Sequence, residues 1–150
     1  MGNNWDVYRA DGKRWFTRKF IDIDSHNYGT GACAMEWVAA IVGECHDDHP
    51  SCVCPVLTEY VIVLNDSCSS RQRQELRPLL VRMINTRGDG KAGERKTALS
   101  QDHMRYRGGG YTAAEFKAIL KTLDEMLPET VELSPEIAER ALDFCQRNPG

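Results

Sequence analysis

No apolar run in this 150-residue chain reaches the roughly 20 residues that a membrane-crossing helix needs. The longest, residues 32–43, is interrupted by Glu36. The N-terminus has no basic stretch followed by an apolar one, so no secretory leader is expected. A myristoylation reading of Gly2 fails because position 6 is Asp6 rather than Ser or Thr. There is no Cys-x-x-Cys pair, no internal repeat, no helix-turn-helix signature and no RNA-binding strand motif. These absences exclude a membrane-spanning protein, a repeat array and the common zinc-finger pattern. A cytoplasmic protein is expected, in which six cysteines are free, metal-bound or catalytic rather than disulfide-bonded.

What is present points to one globular domain over residues 1–150. Hydrophobic content is 41% and charged content 27%, ordinary for a chain that builds its own core. Net charge is −3 but unevenly placed. Residues 1–70 carry net −5, residues 71–107 carry ten Lys/Arg against four acids, and residues 108–150 carry net −4. A basic middle between acidic ends either neutralises its flanks inside one fold or meets an anionic partner.

The spacing predicts a mainly α fold with an N-terminal β-hairpin over residues 5–21, turning at Asp11-Gly12. Core helices are expected over 32–85. Residues 32–44 are apolar in nearly every direction and read as a central buried helix. Glu36 inside it must be paired, metal-bound or protonated, an Arg from the basic middle being one partner. An irregular Cys/His loop follows over 45–54, and Pro55 suits a first helical turn. Ser69 or Ser70 caps a third helix, which Pro78 should kink or split. C-terminal helices are expected over 94–147, one opened by the Thr112-x-x-Glu115 capping box. The last starts at Ser134-Pro135, with Ile137, Ala141, Leu142 and Cys145 inward.

Four of the six cysteines and two of the four histidines fall within residues 33–54. Cys45, His49, Cys52 and Cys54, with His46, have the ligand types of a structural zinc site. Cys33 stands at a helix start, where the helix dipole favours a thiolate, so Cys33 with Glu36 nearby is the candidate catalytic pair. Its placement resembles cysteine hydrolases of the papain and transglutaminase type, with His26, His46 or His49 as the base. The His46-Asp47 doublet resembles the centre of the HD family of helical metal-dependent phosphohydrolases, with His26 and Asp66 as outer ligands. Arg71, Arg73, Arg77, Arg105 and Arg107, with Tyr106 and Tyr111, resemble a basic-aromatic surface able to meet single-stranded nucleic acid.

One longer run carries a broader likeness. Cys33-x-Met35-Glu36-Trp37-Val38, Gly43-Glu44, Asp48-x-Pro50-x-Cys52-x-x-Pro55, Asn65-Asp66 and Thr86-Arg87 together resemble a group of uncharacterised bacterial proteins also found among phage-type genes. The resemblance implies no activity. It implies that Cys33, Glu36, Glu44, Asp48 and Cys52 act as a set. The expected function is a small interaction or regulatory protein with a protein partner, stabilised by zinc. Small hydrolase and nucleic-acid binder are the alternatives.

Overall fold

The computed structural model describes residues 7–8, 14–16, 23, 33–44, 48–99 and 110–146. Among these the protein is mainly helical, with seven helices. They are α1 (Ala34–Val42), α2 (Pro55–Ser67), α3 (Ser70–Glu75), α4 (Arg77–Arg82), α5 (Ala92–Ala98), α6 (Ala113–Glu125) and α7 (Pro135–Gln146). Two short strands, β1 (Val7–Tyr8) and β2 (Arg14–Phe16), pair antiparallel, Val7 opposite Phe16. The rest of the hairpin expected over 5–21, its Asp11-Gly12 turn included, lies outside the described residues.

Helix α1 is the hub, in contact with α2, α4 and α7. Every residue from Ala34 to Ile41 is buried, Glu36 among them. The first turn of α1 is buried, so its orphan N–H groups need side-chain acceptors. At its start the Glu36 carboxylate accepts the Cys33 N–H (2.9 Å) and the Cys33 sulfur takes the Glu36 amide, a capping box with Cys in the place of Ser. Asn65 of α2 adds an acceptor for the Ala34 N–H (3.2 Å). At its end Gly43 takes a left-handed turn (φ 82°) that a side chain would strain. Arg140 of α7 donates Nε–H to the Ile41 carbonyl at 2.7 Å.

The α2 apolar run continues as helix rather than strand, and Pro55 opens it. The expected third helix splits into α3 and α4 at Leu76, ahead of Pro78, with Ser69 as its cap. Thr112 and Glu115 form their capping box at α6. On α7 two residues are corrected. Leu142 is 59% exposed and Cys145 is exposed, whereas Phe144 is fully buried. The inward stripe runs Ile137, Ala141, Phe144, and Leu142 and Cys145 each lie one residue, about 100°, away from it. Phe144 meets Trp37 of α1 with ring centroids 5.1 Å apart.

Candidate functional site

Cys33 is buried at the start of α1. Burial and the neighbouring Glu36 carboxylate push its thiol well above the ordinary range, the reverse of what a nucleophile requires. Glu36 is engaged as the capping carboxylate of the same turn. The candidate catalytic pair is therefore a helix cap. Its box spacing was visible in the sequence once Cys is read as a stand-in for Ser.

Cys54 occupies the N-cap position of α2 but, unlike Cys33 at α1, without a side-chain capping bond. Its backbone N–H donates to Thr86 Oγ1 at 2.9 Å, and Thr86 in turn donates to the Met83 carbonyl at 2.6 Å. Arg95 has no exposed surface. It grips Asp89 with two parallel bonds (2.9 and 2.7 Å) and donates Nε–H to the Met126 carbonyl at 3.1 Å. Burial alone would lower the Arg95 pKa, but the bonds to Asp89, with the neighbouring Cys54, outweigh it and raise it. The hydrogen bonds from Arg95 hold the Asp89 carboxyl below its ordinary value.

In the described part of the Cys/His loop, residues 48–54, Pro50, Val53 and Cys54 are buried and Ser51 is exposed. His49 is exposed, its Nδ1 2.7 Å from Asp48 and its Nε2 3.2 Å from Glu59 of α2. Hydrogen bonds to Asp48 and then Glu59 raise the His49 pKa, and the ring straps loop to helix. Glu44 accepts both the N–H and the hydroxyl of Ser51 (3.0 and 2.5 Å). Cys52 is half-buried and burial raises its thiol. Cys45, His46 and Asp47 lie outside the described residues, as does His26. Among the described residues no three His, Cys, Asp or Glu side chains come together as a metal site. Of the set implied by resemblance, Cys33 and Glu36 share one turn, while Glu44 holds Ser51 and Asp48 holds His49.

Four arginines of the basic middle, Arg73, Arg77, Arg82 and Arg95, serve helix C-termini, where carbonyls without partners concentrate negative charge. Arg73 donates to the Asn65 carbonyl at the end of α2 (2.7 Å) and Arg77 to the Phe144 carbonyl near the end of α7 (3.0 Å). Arg82 reaches the Asp124, Leu127 and Pro128 carbonyls at and just beyond the end of α6 and pairs with the Asp124 carboxylate. Arg77 also lies over the Phe144 and Trp37 rings, 4.7 and 5.8 Å from their centroids. Arg73 and Arg77 are thus buried and withdrawn from any nucleic-acid surface, whereas Arg71 is exposed. Arg105 and Arg107 lie outside the described residues.

An open groove of about 390 Å³ runs between α2 and α5, lined by Val56, Glu59, Tyr60, Val63, Lys96 and Leu99. Burial, with smaller contributions from Tyr111 and Cys68, pushes the Tyr60 phenol up to about 12. Nothing in the periodicity of α2 announced the groove, because its outward valines look like a second core face. Comparison with protein-family models, curated proteins and solved structures gives no match for this chain.

Proposed function

We propose that the protein is a small interaction module, regulatory rather than catalytic, and that the α2–α5 groove takes an apolar segment of a protein partner. The observation that carries this is the two-sided character of α2. Leu57, Val61 and Leu64 face the core, while Val56 and Val63 are only half-buried and line the groove. A helix apolar on both faces at a protein surface is the usual mark of a docking site. The free thiols at Cys33, Cys52, Cys54, Cys68 and Cys145 support a reducing, cytoplasmic setting of bacterial or phage type. The hairpin over 5–21 remains part of this reading.

A second reading keeps zinc on Cys45, His49, Cys52 and Cys54. In its favour, His49, Cys52 and Cys54 belong to one turn-rich segment that ends at the start of α2. Metal content by mass spectrometry decides it, with one zinc per chain as the supporting result and none as the opposing one.

The groove is tested by a photo-activated benzophenone side chain placed at Val63, with Lys117 on the exposed side of α6 as the control. Irradiation in cells should yield a covalent protein adduct from position 63, lost on Val56→Glu, and none from position 117. Absence of an adduct at 63, or equal adducts at both positions, contradicts the proposal.

A further inference from the structure

The side-chain amide of glutamine carries an N–H donor and a C=O acceptor, as a peptide group does, so it can bind both backbone groups of one residue at once. Gln74 of α3 does this to Ile23. Its Nε2 donates to the Ile23 carbonyl (2.8 Å) and its Oε1 accepts the Ile23 N–H (3.1 Å). Ile23 is buried and belongs to the core. Gln72, two positions earlier on the same helix, holds Tyr111 in the same way (2.8 and 3.1 Å). The two grips differ in what lies behind them. Gln72 Oε1 turns back to its own helix start, where it accepts the Ser69 N–H at 3.0 Å. Gln74 Oε1 instead accepts Nη2–H of Arg77 at 2.7 Å, and Arg77 Nη1 donates to the Phe144 carbonyl of α7 at 3.0 Å. Arg77 is buried, with its guanidinium over the Phe144 ring. One side-chain oxygen therefore links Ile23, ahead of α1, to α7.

We propose that Gln74 is a latch that couples Ile23 to α7, so that the two open as one unit and release of either loosens the other. The cause is the shared acceptor. With Ile23 seated, the Gln74 amide is held at both its nitrogen and its oxygen, and the oxygen stays aimed at Arg77. Once Ile23 leaves, the amide regains its rotamers and Arg77 loses a fixed acceptor at the point from which it reaches α7. The coupling is reciprocal by linkage, since a contact that ties two closed elements together stabilises each through the other. A partner that draws Ile23 from its seat thereby loosens Phe144 against Trp37 of the central helix. The Gln72 grip on Tyr111 does not pass through this oxygen and opens separately.

Amide hydrogen exchange of the full chain, followed by NMR in low concentrations of denaturant, reads the opening of each element. The buried Ile23, Ala141 and Phe144 should exchange through one opening, with the same free energy and the same denaturant dependence. Tyr111 and Phe116 should exchange through another. Gln74→Met keeps the length of the side chain and removes its amide. It should speed exchange at Ala141 and Phe144 at least about tenfold, the worth of a hydrogen bond to a charged group. Gln72→Met is the control and should leave both within about twofold of the parent while speeding Tyr111. Circular dichroism checks that both variants keep the helical fold. Ile23 opening independently of α7 in the parent overturns the proposal, as does one opening shared by all five amides. So does a Gln74→Met that leaves α7 unchanged or speeds every helix alike. The parent measurement needs no variant, so it decides the question even where Gln74→Met does not fold.

Discussion

The Cys/His loop and the arginine-rich segment that follows it are the two regions most marked for chemistry, and they behave in opposite ways. Among the described residues of the loop, His49 stays outside, strapped between Asp48 and Glu59 in water. The arginines turn inward. Arg73, Arg77 and Arg95 are buried, and each gives a hydrogen bond to a carbonyl at or just beyond the end of another helix. The physical cause is that the last carbonyls of a helix have no partner within it, so donors come from other elements. Arginine reaches furthest and stays charged while doing so. Residue type in a sequence reports capacity for chemistry, and burial decides whether that capacity is spent on the fold.

Arg95→Ala should break this contrast most strongly. It removes the paired bonds to Asp89 and strips the Met126 carbonyl of a donor. Losing one partner of such a buried pair costs about 3 kcal/mol or more, read from urea unfolding. A loss under about 1 kcal/mol contradicts the inward half of the comparison. The effect should also depend on pH. The Asp89 pKa is lowered by folding, so its contribution is complete above the ordinary value of 3.8 and fades as pH falls below it. The gap between parent and Arg95→Ala should therefore narrow in acid. A gap that widens has the wrong sign.

Thr86→Val is the intermediate case. It keeps the shape and deletes the acceptor of the buried Cys54 N–H. An orphaned buried donor costs about 2 kcal/mol in thermal or urea unfolding. A neutral result means that α2 does not depend on Thr86 for its start.

His49→Ala should have the smallest effect, under about 0.5 kcal/mol, because its side chain is 55% exposed and its ion pairs are screened. Whatever it contributes is present below its ordinary value of 6.5 and is lost as pH rises through the raised one. A fall of several degrees in Tm accompanied by zinc release would instead make the loop a metal site.

Local physics was legible in the sequence and distant physics was not. The central buried helix, the Pro55 start, the Ser69 and Thr112 caps and the break at Pro78 all follow from residues within one turn of the event. The partners of the helix ends lie far along the chain. Asn65 serves Ala34, Thr86 serves Cys54 and Arg140 serves Ile41, and no spacing rule connects them. Charge patterning found the basic middle, but whether an arginine faces solvent or a carbonyl is set by tertiary packing. The groove escaped notice because a valine on a helix reads alike whether it is core or docking surface. Glu36 shows the boundary between the two kinds of inference. Its need for a partner was legible, and the partner was three residues away.

Thiol reactivity tests most directly the claim that the conspicuous cysteines close helices rather than react. Native protein at pH 8 is pulsed with iodoacetamide and each cysteine is followed by peptide mass spectrometry, with Cys145, which is exposed, as the internal standard. Cys33, buried beside the Glu36 carboxylate, should be modified at least about 100-fold more slowly, at a rate set by opening of the fold. Modification of Cys33 as fast as Cys145 would contradict the account and restore it as a nucleophile.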